Sequence, residues 1–187
     1  GDWSSDVCSS DLRIPSDWSI KTLEECTKLI IDYRGKTPKK LGSDWSEDGI
    51  KAISAKNIKD GSLVREETIR YVDNELYEKW MKEEVKFDDI IMTSEAPLGE
   101  CMIWESDEKV VLSQRLYGIR ANRDIVCPKY LYNYMNTNIY RHELDSRASG
   151  TTVLGIRQSE LLKTNIVVPS IEEQVIIGKY RSEGHTS

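Results

Sequence analysis

The residues best suited to chemistry begin in a basic stretch from Asp32 to Lys40, which reads Asp-Tyr-Arg-Gly-Lys-Thr-Pro-Lys-Lys. Gly35 and Pro38 predict a loop, and four cations within seven residues give that loop a local positive field. The side chains that suit a phosphate backbone are Arg34, Lys36, Thr37, Lys39 and Lys40. An ordinary solvated loop has the same composition, so the stretch alone leaves both interpretations open.

Two other short segments carry side chains that suit hydrogen bonding to nucleotides. Gln114 and Arg115 lie between two predicted strands, and adjacent glutamine and arginine side chains suit the edges of adenine and guanine. Lys56 and Asn57 lie on the connection between two further predicted strands. For Gln114 and Arg115, an equal interpretation is a pair of ordinary surface side chains.

A longer stretch, from Ser149 to Gln174, joins a polar loop to a short helix, a buried strand and the opening of another helix. Gly150 and Gly155 permit backbone conformations that other residues resist. The loop side chains that can donate to a phosphate or a base edge are Thr151, Thr152 and Arg157.

The pattern of apolar residues predicts the elements that position these loops. The predicted strands cover residues 50–54, 62–72, 90–92, 101–104, 109–112, 116–120 and 166–168. The predicted helices cover residues 75–84 and 129–144, and Ser170 followed by Glu173 has the form of a capping box that opens a further helix. The strand spacing between residues 101 and 120 is typical of an antiparallel meander.

Length and composition indicate one domain without a membrane segment. A chain of 187 residues with 39% hydrophobic content can bury a sizeable core. Its longest apolar runs are far shorter than the roughly 20 residues that span a bilayer. The cysteines lack the close pairing of a disulfide framework or a zinc site, which fits a reducing cytoplasm; they are Cys8, Cys26, Cys101 and Cys127.

Both ends of the chain are expected to be foreign to the fold. Residues 1–12 resemble the translation of a common short-read sequencing adapter, and residues 181–187 resemble the same adapter in the opposite orientation. The alternative for the first segment is a Ser/Asp-rich disordered leader. Half of the formal net charge of −6 comes from three leader residues, Asp2, Asp6 and Asp11. Binding to nucleic acid must therefore rest on local basic patches rather than on total charge.

Motifs for catalysis are missing from the sequence. It has no glycine-rich cofactor loop with an Asn-Pro-Pro-Tyr-like tetrapeptide, no Gly-x-x-x-x-Gly-Lys-Ser/Thr loop and no Gly-x-Ser-x-Gly turn. Glu84-Val85-Lys86 resembles the carboxylate-and-lysine arrangement of metal-dependent nucleases, but such triplets are common by chance on charged helix ends. His142 has no partner in a recognised spacing. The sequence therefore predicts binding or scaffolding rather than an enzyme.

Several segments, taken in order, resemble the target recognition domain of the specificity subunit of type I restriction-modification systems. They are residues 18–23, 35–38, 49–53, 57–61, 88–93, 98–99, 112–114, 150–152 and 165–174. The succession covers nearly all of residues 13–180, and its ending, Pro-Ser-Ile-Glu-Glu-Gln, is quite specific to that family. Family members usually carry two such domains separated by long helices, so the sequence is expected to be a truncated fragment.

The resemblance implies an α+β (mixed α/β) fold, with a twisted, partly barrel-like antiparallel sheet and flanking helices, followed by the start of a long spacer helix. It implies a recognition domain at residues 13–168 and the spacer start at residues 169–180. The implied partners are double-stranded DNA, of which the domain reads one half of a bipartite target, and the methyltransferase and restriction subunits that carry catalysis. The implied subunit is non-catalytic and cytoplasmic, with no cofactor or metal of its own.

In this interpretation, basic loops hold the DNA backbone and polar loop residues read bases. The complete predicted set is Arg34, Lys36, Thr37, Lys39, Lys40, Lys56, Asn57, Gln114, Arg115, Arg147, Thr151, Thr152 and Arg157. Neutralising Lys36 is expected to flatten the salt dependence of binding without altering site preference. The alternative is a protein-interaction domain that docks a methyltransferase subunit with little DNA contact of its own. A continuous basic concavity favours DNA, whereas scattered charge favours the alternative.

Overall fold

A four-stranded antiparallel sheet lies at the centre of the computed structural model, which describes residues 17–184. The strands are β1 (Ser19–Thr22), β2 (Thr27–Ile31), β3 (Ile50–Ile53), β4 (Ile58–Lys59), β5 (Ser62–Leu63), β6 (Arg70–Val72), β7 (Ile90–Ser94), β8 (Leu98–Ile103), β9 (Val110–Leu112), β10 (Leu116–Ala121) and β11 (Asn165–Val168). The helices are α1 (Leu23–Cys26), α2 (Asn74–Trp80), α3 (Pro128–Met135), α4 (Asn138–Arg147), α5 (Gln158–Leu162) and α6 (Ile171–Gly184). The leader predicted at residues 1–12 lies outside the described residues.

The central sheet has the strand order β2-β10-β7-β8 and is buried on both faces. Alternate side chains therefore enter two separate groups of apolar residues, called cluster 1 and cluster 2 here. On β7, Ile91 belongs to cluster 1, while Ile90 and Met92 belong to cluster 2. On β10, Leu116 belongs to cluster 1 and Tyr117 to cluster 2. A strand buried on both faces needs apolar residues at successive positions, which explains the continuous apolar run of β7.

Cluster 1 is covered by a small sheet of order β6-β3-β9 and by α2. The ladder between β3 and β6 is antiparallel, whereas the ladder between β3 and β9 is parallel. Helix α2 begins after Asp73, whose carboxylate accepts a hydrogen bond from the Leu76 amide at 2.8 Å. Its buried face presents Leu76, Tyr77 and Trp80 to cluster 1.

Cluster 2 is covered by a helical layer and by the two-stranded antiparallel sheet β1-β11. The single helix predicted over residues 129–144 is instead two helices, α3 and α4. The break occurs because the Thr137 side chain caps α4, accepting a hydrogen bond from the Tyr140 amide at 3.3 Å. The two helices can then turn Leu131 and Tyr140 into the same cluster.

Helix α6 leaves the domain directly after β11, where Pro169 and Ser170 separate the two elements. Its first turn is fixed by Gln174, a fully buried side chain. The Gln174 amide nitrogen donates to the carbonyls of Ile125 and Pro169, and its amide oxygen accepts from the Cys127 N–H. The helix predicted from the capping-box pattern is therefore present, and the hydrogen bonds of Gln174 attach its first turn to the domain.

The predicted α+β class with mainly antiparallel sheets and flanking helices is confirmed. The antiparallel meander predicted over residues 101–120 is wrong, because β9 pairs in parallel with β3 instead of joining β8 and β10. The partly barrel-like arrangement was too loose a description, because the described strands form four separate sheets without a closed barrel. The predicted strand over residues 62–72 is interrupted, with only β5 and β6 forming ladders. No helix in residues 17–184 combines the length and the apolar character that a membrane span requires.

Candidate nucleic-acid interface

The basic loop after β2 is folded back on the domain by its own cations. The Lys40 Nζ donates to the Gly35 carbonyl at 2.9 Å, and the Lys36 Nζ donates to the Trp80 carbonyl at 3.1 Å. The Lys36 ammonium also lies 4.3 Å from the centroid of the Tyr33 ring. Lys39 is exposed at the start of a short 3-10 turn. Each ammonium has three donors, so Lys36 and Lys40 keep donors for a further partner.

Arg34 lies at the other end of this loop in a fixed orientation. Its guanidinium donates from Nε to Asp32 Oδ1 at 2.8 Å and from Nη2 to Asp32 Oδ2 at 3.1 Å. It lies over the Tyr117 ring, 4.2 Å from the centroid. Burial, the largest single effect, lowers the pKa of Arg34, but the hydrogen bond and charge of Asp32 together with the nearby Tyr117 and Glu95 outweigh it, so the pKa is raised. Burial raises the pKa of Tyr117 to about 12, so its hydroxyl remains a donor to the Ile156 carbonyl.

Lys56 and Asn57 are neighbours in sequence but differ in what they can contact. Lys56 is exposed, whereas Asn57 is only 1% exposed. The Asn57 amide nitrogen donates to the carbonyls of Val64 and Arg65 and to the Thr68 hydroxyl, each at 3.1 Å. Its amide oxygen accepts from the Ser54 N–H at 3.1 Å. The side chain of Asn57 is therefore occupied inside the domain and holds the loop that presents Lys56.

The turn between β9 and β10 presents Gln114 and Arg115 on a rigid backbone. Ser113 donates through both its amide and its hydroxyl to the Ile53 carbonyl. The Gln114 carbonyl accepts from Ala55, and the Arg115 carbonyl accepts from the Ser94 amide at 2.9 Å. Arg115 has a φ of 62°, in the left-handed region. The side chains of Gln114 and Arg115 are both exposed. The turn therefore points them toward solvent, while hydrogen bonds to Ile53, Ala55 and Ser94 hold its backbone.

The loop that follows α4 is closed by a pair of backbone hydrogen bonds between Ser149 and Gly155, each 2.9 Å long. Gly150 has a φ of 127°, and a Cβ added there would lie 2.1 Å from the Val153 carbonyl oxygen. Only glycine fits this turn. Thr151 and Thr152 are exposed at the tip of the loop, and Arg157 is exposed where the loop ends.

Arg147 lies just before this loop and is engaged with carboxylates. Its Nε is 3.4 Å from a Glu143 carboxylate oxygen, and its Nη1 is 3.4 Å from one of Glu160. Arg147 lines neither of the two clefts that most of the other predicted residues form. The sequence-based set therefore includes one arginine that mainly joins α4 to α5.

Most of the predicted residues converge on two neighbouring clefts. The lysine cleft has a volume of about 460 Å³ and includes the predicted residues Lys36, Thr37, Lys39, Lys56, Asn57 and Gln114. The arginine cleft has a volume of about 310 Å³ and is lined by Arg34, Ser94, Glu95, Ser149, Gly150, Val153, Gly155, Ile156 and Arg157. The two clefts are adjacent, because the loop after β2 lines the arginine cleft with Arg34 and the lysine cleft with residues 36–39. The next turn also joins them, since Gln114 lines the lysine cleft and the Arg115 carbonyl accepts from Ser94, which lines the arginine cleft.

Sequence reasoning missed several residues that line these clefts, and three of them bear on binding. Trp45 and Arg70 line the lysine cleft, with the Arg70 guanidinium carbon 5.3 Å from the centroid of the Trp45 ring. Glu95 lines the arginine cleft, where its carboxylate Oε1 is 3.9 Å from the Arg115 Nε. No local sequence pattern marks these residues, because each reaches its cleft only through pairing between segments that are distant in sequence.

Within residues 17–184, no group of three or more histidine, cysteine or acidic side chains is placed to hold a metal ion. The Glu84 carboxylate of the nuclease-like triplet accepts a hydrogen bond from the Tyr77 hydroxyl at 2.8 Å. This glutamate has a structural partner on α2.

Comparison with known proteins gives consistent similarities over most of the chain. Residues 15–182 match the family model described as type I restriction modification DNA specificity domain. The chain is 25% identical over 167 residues to the MjaVIII specificity subunit of Methanocaldococcus jannaschii, covering 87% of this chain and 38% of that protein. It is 24% identical over 165 residues to the EcoBI specificity subunit of Escherichia coli, covering 87% of this chain and 34% of that protein. The chain thus spans little more than a third of these relatives.

Solved structures share the fold at low sequence identity. A chain from a structure of type I restriction-modification complex assembly and conformational transition superposes with a TM-score of 0.67, at 19% identity over 95% of this chain and 40% of that one. The HsdS subunit from Thermoanaerobacter tengcongensis superposes with a TM-score of 0.64, at 17% identity over 91% of this chain and 43% of that one.

Proposed function

The chain belongs to the type I restriction-modification DNA specificity domain family, and on that premise we propose that it reads one half of a bipartite DNA target. The observation that carries this proposal is the convergence of loops at residues 34–40, 56, 113–115 and 149–157 on two adjacent clefts. These loops are far apart in sequence and come from different sheets. A surface built from so many separate basic and polar segments is suited to follow a duplex.

The lysine cleft supplies groups for the DNA backbone. Exposed or partly exposed cations from three segments surround it, namely Lys36, Lys39, Lys56 and Arg70. Lysine ammonium groups bind phosphates as point charges and release counterions, which gives affinity without sequence information. Thr37 and Lys40 extend this set along the same loop, and Arg147 remains a peripheral candidate. Asn57 is left out, because its buried amide already has protein partners.

Base readout is assigned to the turn at Gln114 and Arg115, of which Gln114 lines the lysine cleft, and to the loop at the arginine cleft. Gln114 and Arg115 project from a braced turn, and a fixed backbone limits the directions in which their amide and guanidinium groups can bond. Arg34, Arg157, Thr151 and Thr152 complete the set of donors for bases or nearby phosphates. Arginine discriminates guanine and glutamine discriminates adenine in the major groove by about 1–3 kcal/mol per good bidentate contact.

The proposed partners follow from the family. We assign methylation and cleavage to methyltransferase and restriction subunits that assemble with the complete specificity subunit. Helix α6 is the start of the spacer that would connect this domain to a second one. We place the protein in the cytoplasm, in keeping with the free thiols of Cys26, Cys101 and Cys127.

The proposal is tested by offering the 187-residue chain a library of randomised duplex DNA and sequencing the retained molecules. A DNA-reading domain enriches one short motif, and the enrichment weakens as salt is raised because phosphate contacts release counterions. A second arm replaces one recognition domain of a full-length relative with residues 17–180, adds its methyltransferase and maps methylated adenines. Retained assembly without any motif in either arm would support a docking domain and contradict the proposal.

A further inference from the structure

One carboxylate, Glu95, lies in the arginine cleft among groups that suit a polyanion. The residue follows β7 directly, and its side chain is 48% exposed. Its Oε1 is 3.9 Å from the Arg115 Nε, and Arg34 and Arg157 line the same cleft. A negative charge at this position repels phosphates, so it lowers general affinity for DNA.

The position of Glu95 is fixed by its backbone neighbours. An isolated β-bridge joins Glu95 to Gly155. The preceding residue, Ser94, is held by two backbone hydrogen bonds: its carbonyl accepts from the Ile156 amide at 3.0 Å, and its amide donates to the Arg115 carbonyl at 2.9 Å. A Cβ added to Gly155 would lie 3.2 Å from the Glu95 Cβ and 3.3 Å from its Oε2. Glycine at residue 155 therefore lets the loop approach the glutamate side chain closely.

The chemistry of an ionised carboxylate limits what Glu95 can bind on DNA. It accepts hydrogen bonds and donates none. In the major groove, the donors available are the exocyclic amino groups of cytosine N4 and adenine N6. We propose that Glu95 is a specificity-determining residue, which accepts a hydrogen bond from such an amino group at one position of the target. This inference rests on the proposed DNA-reading function and adds to it an acidic reader that the predicted set lacks.

Arg115 is suited to act beside Glu95. Its ion pair with Glu95 is long and half-exposed, so water screens it and Arg115 can exchange that partner for a base. A guanidinium suits guanine O6 and N7, while the neighbouring carboxylate suits an amino group. Glu95 thus offers an acceptor to the amino groups of a base-pair edge, and Arg115 offers donors to its oxygen and nitrogen acceptors.

The test compares the sequence preferences of the wild-type chain, Glu95→Ala and Glu95→Gln on the same randomised duplex library. Glu95→Ala removes the acceptor, so preference for cytosine or adenine at one position is expected to fall by about 5- to 150-fold while the other positions keep theirs. Glu95→Gln is expected to move that position to adenine where the wild type prefers cytosine, and to keep adenine where the wild type prefers adenine, because an amide both accepts from N6 and donates to N7. The base in the wild-type motif distinguishes cytosine from adenine as the source of the amino group.

Glu105→Gln is the matched control, since Glu105 is exposed and lines neither cleft. It is expected to leave every position of the motif unchanged. The inference is overturned if Glu95→Ala keeps the same motif and only binds all DNA more tightly, or if the folded variant loses all DNA binding. A wild-type chain that enriches no motif overturns the proposed function instead, and thermal unfolding of each variant checks the fold.

Discussion

At the scale of single residues, the polar groups near the clefts divide into those with protein partners and those free to meet a ligand. Asn57 uses both ends of its amide inside the domain, whereas Lys56 beside it is exposed. Lys36 has an intermediate character, because its ammonium donates to the Trp80 carbonyl. Replacing Lys36 therefore removes a structural contact as well as a charge, which makes it a poorer probe of phosphate binding than Lys39 or Lys56.

Lys39→Gln combined with Lys56→Gln is expected to reduce the salt dependence of DNA binding. Each lost phosphate contact lowers the slope of log K against log salt by about 0.9. The motif enriched from a random library is expected to stay the same, since these contacts carry no sequence information. Lys129→Gln, on the exposed side of α3, is the control. An unchanged slope in the double variant would remove the lysine cleft from the DNA interface.

Asn57→Ala is expected to destabilise the domain by about 1–3 kcal/mol or more, because it leaves buried hydrogen-bonding groups without partners. The measurement is the free energy of unfolding from urea titration. Lys56→Ala serves as the neighbouring control and is expected to change that free energy by less than about 0.5 kcal/mol, as exposed substitutions usually do. Equal stability of the two variants would contradict the structural role given to Asn57.

At the scale of elements, the two loops that present donors are short and braced by backbone hydrogen bonds. The backbone carbonyls of Gln114 and Arg115 accept hydrogen bonds from the Ala55 and Ser94 amides. The second loop is closed by the two backbone hydrogen bonds between Ser149 and Gly155. In the proposed DNA-reading function, such bracing reduces the conformational entropy that the loops lose on binding. The loop conformation is therefore expected to matter for affinity even where no side chain is changed.

Gly150→Ala tests this expectation. The new Cβ would meet the Val153 carbonyl oxygen, and the positive φ adds strain of about 1–3 kcal/mol, so the loop must change its shape. Because the loop is exposed, it can relieve this strain by rearranging locally, so we expect DNA affinity to fall while the unfolding temperature changes little. Both quantities are measured on the same sample. Ser149→Ala keeps the backbone pairing and is the control; affinity equal to wild type in Gly150→Ala would show that this loop does not meet DNA.

At the scale of the whole molecule, the central sheet makes the two clusters interdependent. Its side chains alternate between cluster 1 and cluster 2, so neither cluster persists without the shared strands. Each cleft is built on a different cluster, since the lysine cleft includes Trp80 of cluster 1 and the arginine cleft includes Ile156 of cluster 2. Their relative position therefore depends on this sheet.

Ile90→Ala and Ile91→Ala probe the two faces of β7, at fully buried neighbouring positions. Each is expected to lower the free energy of unfolding by about 2–5 kcal/mol, through lost burial and a cavity. Each is also expected to preserve one cooperative transition, because the sheet is common to both clusters. In a background with Trp3 and Trp18 replaced by phenylalanine, the remaining tryptophans Trp45, Trp80 and Trp104 lie at cluster 1, and their fluorescence should report the Ile90→Ala change in cluster 2. Separate transitions by fluorescence and circular dichroism would show that the clusters unfold independently.

The sequence by itself determined the α+β class, the buried strand β7, the start of α6 and the chemical character of the loops, because these depend on local patterns of apolar, glycine, proline and charged residues. Its ordered motifs also determined the family. Only the tertiary structure decided which polar residues are free, since the partners of the Asn57 amide nitrogen come from the 64–68 segment and the Glu160 partner of Arg147 comes from another helix. It alone also brought Glu95 beside Arg115, because β7 and β10 pair across more than twenty residues of sequence and spatial neighbours of that kind leave no local signal.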